Sequence, residues 1–206
     1  MGRPKTISDA ALLAIAREVF VRAGGAGSTK EIARRAGLSE AAIFKRYTTK
    51  AALFLAAMAP PRLDVAALAT RISVITDPQR GLIDIGVEVL TYLRAALPVV
   101  LPLLTNPAIG PDAVRDNLAD EQMAALLRSI SSYVRQQRRA GRVARTAEPV
   151  AVATVLFGCI HNVALIETLG GRHAGPAAAV VRPVVAMLWH GLRPTFPDPS
   201  IRGVKP

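Results

Sequence analysis

The chain has 206 residues, 51% of them apolar and only 4% aromatic, with 26 Lys and Arg against 15 Asp and Glu for a formal charge of +11. That length allows one large domain or a small domain joined to a larger one, the Ala, Leu, Val and Ile palette favours packed helices, and the charge points to a polyanionic partner, nucleic acid or an anionic membrane surface. A single cysteine, Cys159, excludes an intrachain disulfide and a structural zinc site, and no apolar signal stretch follows Arg3 and Lys5, so the expected setting is the cytoplasm.

The basic charge is densest at the start, where residues 1–50 hold ten basic side chains against four acidic ones. The first predicted helix runs from about Ser8 to Ala23, with Ser8 as N-cap, a stripe of Leu12, Ile15, Ala16, Val19 and Phe20 at helical spacing, and Gly24-Gly25 as the stop. The second begins at Ser28, which with Glu31 makes a Ser-x-x-Glu capping box, and ends at Gly37. After the Gly37-Leu38 turn, Ser39 caps a third helix from Glu40 through Tyr47, in which Ile43 and Tyr47 face one way while Glu40, Ala41, Phe44 and Lys45 point outward. A fourth starts at Thr49 and stops at Pro60-Pro61.

Beyond the prolines the pattern stays helical, over about 63–75, 78–96, a Pro-interrupted 98–105, 112–139, 148–169 and 176–192, with a Pro-rich tail over 194–206. The fold class is therefore all-α. The domains expected are a helix-turn-helix head over residues 1–55, a larger helical domain for ligand binding and dimerisation over 56–193, and the tail. From Pro149 to Ile166 no residue is formally charged, and 18 such residues suffice to span a bilayer. His161 and Asn162 within the stretch, Glu148 and Glu167 at its ends and the lack of an aromatic belt favour a helix buried among others or at a subunit interface, without a membrane.

Two short helices joined by a Gly turn are the geometry that lays the second helix into the major groove while the first crosses the backbone. The run IARRAGLSEAAIFKRYTTKAAL resembles the signature of TetR-family regulators: an Ile-Ala pair, a Gly-hydrophobic-Ser turn, an aromatic pair in the third helix and a Lys opening the fourth. The resemblance covers about residues 8–55. It implies that Ser39, Glu40, Ala41, Ala42, Phe44 and Lys45 lie at the DNA and that Lys50 meets a phosphate.

The chemistry of these residues agrees, because Lys45 is able to donate to guanine O6/N7, Glu40 to accept from cytosine N4, and Ala41 and Ala42 to touch thymine methyls. Ser28, Thr29 and the amides that follow them suit phosphate contacts, and Arg3 and Lys5 form a basic arm of the kind that enters a minor groove or stays solvated. Phe44 stands where the family usually has Tyr, Ala41-Ala42 where Gly-Thr is common, and Arg46-Tyr47 where His-Phe is common.

The resemblance further implies a homodimer on a palindromic operator, joined through helices near 148–169 and 176–192, and repression relieved by a small apolar ligand. Leu90, Leu93, Leu97, Val100, Leu103, Leu104, Met123, Leu127, Phe157 and His161 are candidates to line an apolar pocket of the kind helix bundles form. GGAGSTK at 24–30 is not a phosphate loop, since a helix precedes it and Lys30 follows Thr29. The three histidines have no metal spacing, and no catalytic motif or cofactor fingerprint is present, so the chain is expected not to be an enzyme. The rival reading is a helical enzyme or small-molecule carrier with an incidental basic head.

Overall fold

The computed structural model describes residues 7–106, 120–170, 172 and 174–193. The predicted arm with Arg3 and Lys5, His173, the tail from Pro194 and residues 112–119 of the helix predicted over 112–139 lie outside the described residues. Nine α-helices and no strand occur among the described residues: α1 Asp9–Ala23, α2 Thr29–Ala36, α3 Glu40–Arg46, α4 Lys50–Ala57, α5 Val65–Ser73, α6 Pro78–Leu104, α7 Asp120–Arg139, α8 Pro149–Gly170 and α9 Ala177–Leu192. They fall into two compact units, Met1–Arg62 with Arg94–Asp120, and Leu63–Leu93 with Glu121–Pro206.

The first unit starts its helices where short side chains satisfy orphan amides. Ser8 accepts from the Ala11 N–H, Ser39 from Ala42 and Thr49 from Ala52, at 3.0–3.2 Å. The Ser28 box is only half made. Ser28 accepts from the Glu31 N–H at 3.4 Å, but the Glu31 carboxylate turns to Arg22 of α1 at 2.7 Å instead of reaching back to the cap. Gly37, at φ 66°, closes α2 in the left-handed region that a side chain rarely adopts, and Leu38 N–H then reaches the Ala33 carbonyl at 2.9 Å.

Phe20 of α1 and Phe54 of α4 meet edge to face at 4.9 Å in the core, surrounded by Leu12, Val19, Ile32, Ile43, Leu53 and Met58. Val99 and Leu103 from the end of α6 complete that cluster. Their burial bears on the predicted interruption at 98–105, which does not occur: α6 carries Pro98 and Pro102 inside one continuous helix. Each proline removes one intrahelical bond, at a cost of about 3 kcal/mol in an exposed helix, and the packed Val99 and Leu103 hold the backbone in register through them.

In the second unit α7 ties down the loop that precedes α6. The Tyr133 hydroxyl donates to the Asp77 carbonyl at 3.2 Å, and the side-chain amides of Gln137 and Gln136 donate to Ile75 and Ser73 at 3.0 and 3.2 Å. Gly81 sits under that hydroxyl, so close that a Cβ there would lie 1.9 Å from it. Burial, reinforced by the carboxylates of Asp77 and Asp84, pushes the Tyr133 phenol up to about 12. Glu148 opens α8 by accepting from the Val150 and Ala151 N–H groups at 2.7 and 3.1 Å.

Two helices, α6 and α8, are long and apolar enough to cross a membrane, and only 33% of the apolar window of α8 is buried within the chain. The exposed residues of α8 include a stripe, Ala151, Val155, Cys159, Asn162, Ile166 and Leu169, at helical spacing, with Val150, Thr154 and Gly158 exposed beside it. Ile166 is 60% and Leu169 72% exposed.

Candidate nucleic-acid interface

The helix-turn-helix is built from α2, the turn at residues 37–39 and α3. Ile43, with no exposed surface, anchors α3 from below, and Tyr47, which ends it, packs against the same core from the edge. Burial raises the Tyr47 phenol, the Asp9 carboxylate adds to the rise and the Arg46 guanidinium opposes it. That seating leaves Ala41, Phe44 and Lys45 on the open face, with Phe44 36% exposed. Ser28 and Ser39 are exposed caps whose oxygens accept from the backbone, so each hydroxyl hydrogen is available to a phosphate. Ala42 is half-buried, and Lys50 occupies the first position of α4.

Glu40 and Thr29, both candidates for the DNA, are brought together by the fold. Glu40 is half-buried, and its Oε1 accepts from the Thr29 hydroxyl at 2.5 Å. The bond commits the only hydrogen of the Thr29 hydroxyl to Glu40, while the Glu40 carboxylate keeps further acceptor sites open. The bond links the first turn of α2 to the first turn of α3. At the other end of α3, Arg46 donates to the Ile7 carbonyl at 2.9 Å and to Asp9 at 3.0 Å. The recognition helix is therefore pinned at both ends by side chains, and neither pin has a local sequence signal, since the partners are 11 and 37–39 residues apart.

The head's cations divide by task. Arg17 donates to the carbonyls of Ala57 and Ala59 at 2.7 and 2.8 Å, finishing α4, while Arg22 pairs with Glu31 and Arg35 with Glu18 across α1 and α2. These pairs line an open cleft of about 680 Å³ with Val21 and Arg34, and internal pairing occupies most of its charge. Lys30, Arg34, Lys45 and Lys50 have neither an ion pair nor a side-chain hydrogen bond among the described residues. Lys30 and Arg34, on α2, are cations that the sequence reading did not single out, and the local charge count was the only signal for them.

The pocket candidates are scattered by the fold. Leu90 and Leu93 are closed into the second unit, with Met123, Leu127, Phe157 and His161 of the same unit half-buried. Phe157 and His161 stack at 5.6 Å along α8. Leu97, Val100, Leu103 and Leu104 belong to the first unit, where Leu97 and Leu103 are core and Leu104 is 52% exposed. An open cleft of about 370 Å³ in the second unit, between α5 and α7, is lined by Ile72, Ser73, Arg128, Ser132, Tyr133 and Gln136 and by none of these candidates. Among the described residues no group of His, Cys, Asp and Glu is placed to hold a metal.

Residues 12–57 match the family described as bacterial regulatory proteins, tetR family. Among curated proteins no match is found. The fold is similar to that of an assigned TetR-family transcriptional regulator from Mesorhizobium loti, with a TM-score of 0.64 at 19% identity over 88% of this chain and 95% of that one. It is similar to FadR from Bacillus subtilis in complex with stearoyl-CoA, with a TM-score of 0.59 at 14% identity over 87% and 97% of the two chains. It is also similar to NalD, the secondary repressor of the MexAB-OprM multidrug efflux pump in Pseudomonas aeruginosa, with a TM-score of 0.57 at 21% identity over 89% and 95%. At these identities the likeness is one of fold.

Proposed function

We infer that this chain, a DNA-binding transcriptional regulator of the tetR family, works as a homodimeric repressor that grips a palindromic operator through α3 and lets go when a small apolar ligand binds. The observation that carries the reading is the open face of α3, on which Ala41, Phe44 and Lys45 are presented by a helix pinned at both ends, in a unit whose Lys30, Arg34 and Lys50 are unpaired. Lys45 is the base reader, and Lys50, Ser28 and Ser39 position the head on phosphates. Glu40 acts through Thr29 as a positioning residue.

The exposed stripe of α8, continued by Met187 of α9 at 77% exposure, supports dimerisation through these two helices. Burying each large apolar side chain of the stripe contributes about 1.5–3 kcal/mol, and the polar residues on that face are Thr154 beside the stripe and Asn162 within it. A twofold dimer presents two heads, and successive major grooves on one face of B-DNA lie about 34–36 Å apart. A ligand that binds better to a dimer with another head spacing weakens the operator complex by that differential affinity. Leu90, Leu93, Met123, Leu127, Phe157 and His161 are the residues of the second unit assigned to that ligand. FadR with stearoyl-CoA and the repressor NalD, which share the fold, support ligand response and repression.

The test is selection of bound duplexes from a random pool by the purified protein. Enrichment of a palindrome with half-sites one helical turn apart is expected. A pool that stays random after repeated rounds overturns the sequence-specific reading.

A further inference from the structure

Arg135, Arg138, Arg139, Arg142 and Arg145 crowd the C-terminal end of α7 and the turn after it. Cations at such an end are ordinarily explained by the helix carbonyls they face. Here the backbone closes that end by itself. Gly141, at φ 71°, donates its N–H to the Arg138 carbonyl at 3.0 Å, and Arg142 donates its N–H to the Gln137 carbonyl at 3.0 Å. The guanidinium groups are not needed as caps, and two of them turn elsewhere. Arg138 donates to the Ala147 carbonyl at 2.9 Å and Arg142 to the Gln137 side-chain oxygen at 3.1 Å.

None of the five arginines pairs with a carboxylate among the described residues. The neighbouring Glu148 is committed to the first amides of α8. Arg138, Arg139 and Arg145, with Gly141, line an open cleft of about 280 Å³. A Cβ on Gly141 would meet nothing within 4 Å. Like charges gathered around a concavity without a counter-charge repel one another, and an anchored guanidinium fork loses little freedom when it takes an oxyanion bidentately. The partial negative charge at the end of α7, about half a unit, is outweighed by three full positive charges.

We propose that the cleft formed by Arg138, Arg139 and Arg145 binds the phosphoryl group of a small phosphorylated molecule, at a site separate from the DNA-reading head. Arg138 is preset by its bond to Ala147, and Arg139 and Arg145 close on the anion from either side of Gly141.

The test is calorimetric titration of the full chain with inorganic pyrophosphate at low salt, comparing wild type with the double variant Arg139→Gln/Arg145→Gln. Arg138 is left in place because it holds the Ala147 carbonyl. Saturable binding is expected, weakened about tenfold or more in the variant, with the melting temperature and the affinity for selected operator DNA unchanged. No saturable binding, equal binding by the variant, or loss of binding in Lys45→Ala instead overturns the proposal. Vesicles of phosphatidic acid in phosphatidylcholine form a second arm. Capture by wild type but not by the variant supports the site with a lipid headgroup as the phosphoryl source, and pyrophosphate binding without vesicle capture supports it with a soluble one.

Discussion

Replacing Glu40 by Gln separates a base-reading carboxylate from a positioning one. In the structure Glu40 accepts from Thr29 at 2.5 Å and is half-buried. Gln keeps a carbonyl oxygen at that place, so the bond to Thr29 survives and a negative charge disappears from a surface that faces phosphates. Operator affinity should therefore hold or tighten. Thr29→Val removes the donor with little change of shape, which frees the carboxylate and forfeits a bond to a charged group worth about 1.5–3 kcal/mol when buried, and nearer 1 kcal/mol at this half-exposed site. The melting temperature should fall by about 2–4 °C for a chain of this size. Operator affinity should weaken as well, because the released carboxylate swings toward the phosphates.

In Thr29→Val/Glu40→Gln that repulsion is absent, and most of the affinity returns. The assay is a double-mutant cycle by fluorescence anisotropy on the selected operator, with thermal melts on the same samples. Two results refute the reasoning. One is a loss of about 1–3 kcal/mol in Glu40→Gln confined to one base pair, which marks a direct cytosine contact; the other is additivity of the two changes within about 0.5 kcal/mol.

Tyr133 makes stability fall at alkaline pH. Its phenol is raised from an ordinary value of about 10 to about 12 by burial first and by Asp77 and Asp84 next, so the unfolded chain loses the proton first. The stabilisation, roughly 3 kcal/mol, is fully present below about pH 10 and is lost as pH rises toward 12. Denaturant melts across that range should show the decline in wild type and a flatter profile in Tyr133→Phe. Gly81→Ala places a Cβ 1.9 Å from the Tyr133 hydroxyl, and overpacking there should cost about 1–3 kcal/mol, read as a lower midpoint of denaturant unfolding with the operator sequence unchanged. Ile166→Glu puts a charge in the exposed apolar stripe of α8 and should convert a dimer to a monomer in sedimentation equilibrium, while the helix content stays the same.

What was legible in the sequence was local. Ser8, Ser28, Ser39 and Thr49 all cap the helices they precede, because an N-cap acts on an amide two or three residues away. Gly37 marks its turn for an equally local reason, its positive φ. The pins on α3 were not legible, since Thr29–Glu40 and Arg46–Asp9 become neighbours only when three helices pack. The half-made capping box has the same origin: Glu31 fits the pattern but finds Arg22 on α1. Pro98 and Pro102 read as a break because a proline's cost is local, whereas the packing of Val99 and Leu103 that offsets it is not. The apolar pocket candidates share a residue type along a chain that the fold divides between two units, and type alone does not gather them.

The central claim, that α3 reads a sequence while nearby cations hold phosphates, is tested most directly by equilibrium binding across a salt series. The selected operator and a scrambled duplex of equal length are compared for wild type, Lys45→Ala and Lys50→Ala. The operator should bind about a thousandfold or more tightly than the scrambled duplex. Lys50→Ala should reduce the salt slope by about one unit on both duplexes, and Lys45→Ala should cost about 1–3 kcal/mol on the operator and relax preference at one base pair. Equal affinity for the two duplexes at every salt concentration would contradict the account.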